Sequence, residues 1–211
     1  MSSRKGWSRA QLLVAFSLYC QMPFGKMHRS NPQIVEWAGR IGRTPSALAM
    51  KLTNIASLDP AITSTGRSGL KRASAADRAM WDEMSSDWEC FALLAQQAEE
   101  EFGVTPSDEE GSDTWPVNYS GDDKLATTKR RVGQQFFRRA VLSAYSDRCC
   151  ITGLADPKLL VASHIVPWRS NRDQRLNPRN GLCLSVLHDK AFDLGMITIT
   201  ENMTVQVSQR H

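Results

Sequence analysis

Residues 159–168 read LLVASHIVPW, and residues 181–195 read GLCLSVLHDKAFDLG. The first run is aliphatic and β-branched, which predicts a strand, and Pro167 stops it. The second predicts a strand from Gly181 to Ser185 that leads into a short helix around His188 to Phe192. Further on, Met196 to Thr200 and Met203 to Val207, joined at Glu201-Asn202, predict a closing hairpin. The order is therefore strand, loop, strand, helix, with His164 ending the first strand and His188 on the helix. The loop between the strands carries Arg169, Arg172, Arg175 and Arg179.

A single histidine is most often a structural residue. Two, set on opposite sides of a strand–strand–helix unit with a basic loop between them, suit phosphodiester hydrolysis. That reaction needs a base for the attacking water and a cation for the charge that builds on phosphorus and the leaving oxygen. A neutral imidazole can be the base at pH 7, and a second can hold a divalent ion. The arginines offer sites for phosphates. Upstream, Arg131 to Tyr145 alternates a basic face (Arg131, Arg138, Arg139) with an apolar one (Val132, Phe136, Phe137, Val141, Leu142), the pattern of an amphipathic helix.

Four ordered blocks then stand out. They are Cys150-x-Thr152-Gly153, Ala162-Ser163-His164-Ile165-x-Pro167-Trp168, Asn177-Pro178-x-Asn180-Gly181-Leu182 and His188-Asp189-x-Ala191-Phe192-Asp193-x-Gly195. Together they resemble the HNH endonuclease family, closest to the branch of bacterial and phage restriction-type nucleases, over roughly residues 130–205. Gly133-Gln134-x-Phe136-Phe137-Arg138 is similar to the helix that often precedes this domain.

The resemblance implies a ββα-metal fold. In it His164 is the general base, Asn180 fixes the loop that orients His164, and His188 is the metal ligand on the helix. The family often has Asp or His before the catalytic histidine as a second ligand to the same metal. Here that residue is Ser163, a poorer ligand. Asp193 is expected to be structural, and Asp189 a charge at the helix start. The implied cofactor is a divalent ion, Mg²⁺ or Mn²⁺ first, with Ni²⁺ or Zn²⁺ as alternatives. Arg131, Arg138, Arg139, Arg169, Arg172, Arg175 and Arg179 are the candidate DNA contacts. The paired Cys-x-x-Cys motifs of a structural zinc are missing, so Cys149, Cys150 and Cys183 are expected to fill core space.

The rest of the chain reads as helices and a linker. Ser8 is placed to cap a helix running to about Cys20, and the polar residues within Trp7 to Met22 argue against a signal peptide. Asn31-Pro32 opens a second helix, with Ile34, Val35, Ala38 and Ile41 inward and Gly42 ending it. Thr44-Pro45-Ser46 opens a third, with Leu48, Leu52 and Ile55 inward. This pair resembles a helix-turn-helix, in which Arg43, Thr44, Ser46 and Lys51 would lie near the start and outer face of a recognition helix. Ala75 to Phe102 predicts one further long helix, with Met80, Met84, Trp88, Phe91 and Leu94 inward. Residues 104–128 are rich in Pro, Gly, Ser and Asp and read as a linker, with Trp115 and Tyr119 able to dock on a domain.

The net charge of +4 is unevenly spread. Residues 129–211 carry 13 Lys/Arg against six Asp/Glu, whereas residues 104–128 carry one against six. A basic domain behind an acidic linker suits a polyanion better than a small neutral substrate. No apolar run is long enough to span a bilayer. Five cysteines, two of them adjacent, make no disulfide framework and favour a reducing cytoplasm.

The expectation is an α+β chain in three parts. Residues 1–103 form an all-helical, helix-turn-helix-like domain for DNA recognition or dimerisation, residues 104–128 the linker, and residues 129–211 the nuclease. The reaction expected is metal-dependent cleavage of double-stranded DNA, unmodified or base-modified, by a homodimeric restriction enzyme. A monomeric nicking or homing-type nuclease, a non-catalytic DNA-binding regulator on an HNH scaffold, and a protein toxin stand as alternatives.

Overall fold

The computed structural model describes residues 6–67, 69–70, 72–104, 123–171 and 173–209. Arg172, His211 and most of the expected linker, with Trp115 and Tyr119, lie outside the described residues. The chain divides into two compact units, residues 1–136 and 137–211. No helix among the described residues is long and apolar enough to cross a membrane.

The first unit is helical. α1 (Arg9–Cys20) starts at Ser8, whose hydroxyl accepts from the Gln11 N–H while the Gln11 side chain returns to the Ser8 N–H. This reciprocal cap satisfies two backbone donors that the first turn would leave open. Every residue from Leu12 to Tyr19 is buried, and α1 packs on three of the helices that follow it, which makes it the axis of the unit. α2 (Pro32–Arg40) and α3 (Pro45–Ala56) each begin with a polar cap followed by Pro, at Asn31-Pro32 and Thr44-Pro45. Gly42 adopts φ +68° in the connection between them, a conformation that favours glycine. α4 (Pro60–Thr63) is a single turn.

Three readings of this unit need correction. The helix expected over 75–102 is two, α5 (Ala75–Ser86) and α6 (Trp88–Phe102). Asp87 breaks it by leaving the helical region (φ −147°, ψ 88°) and capping Cys90 N–H at 2.9 Å. Val35, expected inward, is exposed. Arg43 and Lys51, expected on an outer face, both turn onto the Trp7 ring at 4.9 Å. Arg43 also bonds Gln11 Oε1, and Lys51 is buried against Asp77 at 2.6 Å. Lys51 lies one turn beyond Leu48 on the buried side of α3, so its charge must be matched there.

α7 (Asp123–Ala144) contains the boundary between the units. It begins within the stretch read as linker, where Lys124, Leu125 and Ala126 are good helix formers. In the first unit Phe136 packs edge-on to Phe91, with centroids 5.8 Å apart.

In the second unit β1 (Leu160–His164) pairs antiparallel with β2 (Gly181–Ser185), Leu160 opposite Ser185 and His164 opposite Gly181. α8 (Val186–Asp193) follows β2 directly and packs on both strands, completing the ββα arrangement. A second hairpin, β3 (Ile197–Ile199) with β4 (Val205–Val207), closes the unit. The chain is α+β, as expected.

Because Lys51 is the cation paired with the buried Asp77, Lys51→Ala leaves that carboxylate without its counter-charge. Its expected effect is a loss of about 3–5 kcal/mol from the first unit, read by urea denaturation. A change within experimental error would show that the pair carries no such weight.

Candidate active site

β1 stops at His164, three residues before Pro167, and Asn180 is the reason. The carboxamide of Asn180 accepts from Val166 N–H (2.7 Å) and donates to Val166 C=O (3.1 Å) and Gln174 C=O (3.1 Å). Its own carbonyl accepts from Ile165 N–H at 2.9 Å. A side chain thus takes the backbone groups that would have continued the ladder and turns the chain into a loop. Asn180 is only 6% exposed, so these bonds form away from competing water.

The loop comes back to hold the histidine. His164 Nε2 lies 2.8 Å from the carbonyl of Arg175, next to the Gln174 carbonyl that Asn180 holds. A carbonyl only accepts, so Nε2 carries the proton, and in the neutral ring Nδ1 is left as the acceptor. The ring stacks on Phe137 (4.2 Å, 5° between planes) and meets Trp168 edge-on at 5.5 Å. Arg175 in turn donates from Nε to Trp168 C=O at 2.7 Å.

Gly181, opposite His164, lets the helix come this close. A Cβ there would sit 2.2 Å from Val141 Cγ2 and 3.0 Å from Phe137 Cζ, both on α7. Arg138, on the same helix, donates to the carbonyls of Leu160 (2.8 Å) and Pro157 (3.1 Å) and so fixes the start of β1.

His188 sits in the first turn of α8. Ser185, the N-cap, accepts the His188 N–H, and its Oγ lies 2.7 Å from His188 Nδ1. With Nδ1 engaged, Nε2 is the ring nitrogen available for a ligand. The junction is held from behind by the turn at Cys149 to Gly153, in which Cys150 N–H donates to Cys183 C=O at 2.8 Å. Burial works against ionisation of the Cys149 thiol, but donors from Thr152, Ile151 and Ser185 outweigh it and bring its pKa down. Burial, with Cys149 and Cys150 nearby, pushes the Cys183 thiol up to about 12. Cys149 and Cys183 fill core space, as expected, while Cys150 is exposed.

Residues 149–200, about a quarter of the chain, match the family model of the HNH endonucleases. This segment is an HNH endonuclease domain. No curated protein and no solved structure matches the chain.

HNH nucleases use a divalent ion. The donors on this HNH domain are His188 and Asp189, both half-buried, the exposed Asp193, and the Ser163 hydroxyl. Asp189 and Asp193 are four residues apart and so share a face of α8. Ser163 is 3% exposed, and its Oγ has no hydrogen-bond partner, leaving a buried oxygen to be satisfied. Among the described residues no three His, Cys, Asp or Glu side chains converge on one point. An ion held by His188 would therefore have few protein ligands and be completed by water and phosphate oxygens, as in an open site rather than a closed structural one.

The candidate arginines divide. Arg131, Arg169 and Arg179 are exposed, and Arg139 is half-buried. Arg138 and Arg175 are engaged with backbone carbonyls. Sequence reasoning named Phe137 only as core and did not single out Trp168, Gly181 or Ser185 for the site. Two signals were present: a glycine at a strand start marks close approach, and a serine three residues before His188 marks a cap.

Gly181→Ala forces α7 away and takes Phe137 off the His164 ring. A loss of about 1–3 kcal/mol in stability is expected, with cleavage falling as well. Val141→Ala in the same chain should recover part of both; no recovery would mean that the contact is not the cause. Separately, iodoacetamide at mildly alkaline pH should label the exposed Cys90 and Cys150 and spare Cys183 in the folded chain. Peptide mass mapping reads this directly, and early labelling of Cys183 would contradict its burial.

Proposed function

We propose that the HNH domain hydrolyses phosphodiester bonds of double-stranded DNA with a divalent ion, as the cutting part of a restriction enzyme. The observation that carries this reading is the His164 ring, held on three sides with Nδ1 left as its acceptor.

In this mechanism His164 Nδ1 takes a proton from water as the water oxygen attacks phosphorus. The bond from phosphorus to the 3′-oxygen breaks, leaving 5′-phosphate and 3′-hydroxyl ends, and solvent returns a proton to the 3′-oxygen. The Arg175 carbonyl stabilises the imidazolium formed on the way. Asn180 touches only backbone, so it is a positioning residue that acts by holding the loop and the Arg175 carbonyl. Arg169 and Arg179 hold flanking phosphates, and Arg131, in the first unit, is a further candidate DNA contact. His188 is the imidazole ligand for the ion, with Ser163 and the α8 carboxylates as candidate oxygen ligands. When bound, the ion offsets charge on the phosphate and the leaving oxygen.

The restriction role rests on the resemblance of the four sequence blocks to restriction-type nucleases. One such site cuts one strand, so a homodimer on duplex DNA accounts for a double-strand break. Five cysteines, two of them adjacent, make no disulfide framework in the sequence, which favours a reducing cytoplasm.

The test compares unmodified, cytosine-methylated and adenine-methylated plasmids with Mg²⁺, Mn²⁺, Ni²⁺ or EDTA. Cutting is expected only with metal, falling roughly 10²–10⁴-fold in His164→Ala. A fall of about a hundredfold is expected in Asn180→Asp, which cannot donate to Val166 and Gln174. Linear product supports the dimer and open circles alone a nickase. Binding without cutting under every condition would sink the nuclease in favour of a regulator.

A further inference from the structure

The charges of the first unit are segregated along the chain. Residues 26–72 carry eight Lys/Arg against two Asp/Glu, whereas residues 73–103 carry one against eight. In the basic stretch Asp59 is already engaged, capping α4 and accepting from the Tyr19 hydroxyl at 2.7 Å. Lys51 is neutralised by Asp77. Lys26, Arg29, Arg67 and Arg72 are exposed, so the stretch carries exposed positive charge suited to a polyanion, whereas the exposed Arg40 lies by Gly103 at the end of the acidic stretch.

The same stretch presents a helix. α2 and α3 are joined by the four residues Ile41 to Thr44, with Gly42 left-handed, which is the helix-turn-helix connection. Leu48, Leu52 and Ile55 are fully buried beneath α3. On its other side Ser46 is exposed, Thr53 half-exposed, and Met50 exposed to 54%, a large apolar side chain left in water. Met27, Arg29, Ser46, Ala49, Met50 and Thr53 line a shallow groove. Towards the end of α3, a Cβ on Gly69 would lie 2.0 Å from the Thr53 carbonyl. The segment carrying Arg67 and Arg72 therefore runs against the last turns of α3. The exposed face of the helix is uncharged, with Arg29 in the groove beside it and Arg67 and Arg72 on the segment that meets its last turns.

We propose that the first unit binds double-stranded DNA by laying α3 in the major groove, with Ser46, Met50 and Thr53 against base edges and Arg29, Arg67 and Arg72 on phosphates. The Ser46 hydroxyl can bond base edges there, Thr53, whose hydroxyl donates to the Ala49 and Met50 carbonyls, offers its oxygen as an acceptor, and Met50 packs on the thymine methyl, whereas phosphate contacts set register. The basic border favours a nucleic acid over a protein. B-form DNA admits a helix in its major groove, and A-form RNA does not. This rests on the α3 surface and is independent of the chemistry at His164.

The experiment uses the full chain carrying His164→Ala, in EDTA, so that binding is read without cutting. Selection from a randomised DNA duplex pool should enrich a defined motif, and fluorescence anisotropy then measures affinity for it. Met50→Glu and Ser46→Glu should each lower affinity for the selected duplex about tenfold or more. Arg29→Ala should weaken binding to all duplexes alike and reduce the salt slope by about one. Both acidic substitutions are at exposed positions, and circular dichroism checks that each variant is folded. Unchanged affinity in folded variants, or duplex RNA bound as tightly as DNA, would overturn the proposal. A chain that binds through these residues yet never cuts with His164 intact would sink the nuclease reading and leave this one standing.

Discussion

The His164 end of the hairpin depends on one carboxamide. Asn180 offers one acceptor and two donors, and all three are used on the backbone of Val166 and Gln174. Without them a loop rich in arginine and asparagine would have little to order it, because such residues gain little by burial and lose much chain entropy. With them the Arg175 carbonyl stands at the His164 ring and decides which nitrogen bears the proton. One buried amide thus links the end of a strand, the course of a loop and the tautomer of a base. An aspartate there would keep the shape and replace two donated bonds with repulsion between oxygens.

Packing supplies what hydrogen bonds alone do not. His164 has flat aromatic contact on one face and an edge contact from Trp168, and both limit rotation about its side-chain bonds. Phe137 reaches the ring only because Gly181 presents no side chain to α7. Arg138, one residue further along α7, ties the other end of β1 through two carbonyls. A guanidinium suits a pair of carbonyl oxygens as well as it suits a phosphate. The number of arginines in this region therefore overstates how many are available to DNA.

The first unit solves a different problem, matching one pair of charges in its interior besides the exposed Arg9–Glu83 pair. Lys51 and Asp77 meet in the interior, where an unmatched partner would be costly. Asp77 also closes the cap at Ser74, so the same carboxylate starts α5 and holds α3 against it. With Lys51 withdrawn and Arg43 laid over Trp7, the outer face of α3 keeps small polar and apolar side chains. That is the opposite of what the positions of these cations along the helix suggested.

Local chemistry was legible in the chain itself. The caps at Ser8, Asn31-Pro32 and Thr44-Pro45, the extent of β2, the hairpin after Gly195 and the blocks around His164, Asn180 and His188 depend on neighbours a few residues away. Tertiary structure decided the rest, because the deciding partners are distant in sequence. The partner that draws Lys51 inward lies 26 residues away, and the carbonyls that engage Arg138 come from residues 19 and 22 positions on. The break at Asp87 was hidden for a related reason, since apolar periodicity continues across it and only the capping bond to Cys90 interrupts the helix. Which nitrogen of His164 is free is a fact of the same kind. The ring is identical in either tautomer, and only a carbonyl delivered by the folded loop distinguishes them.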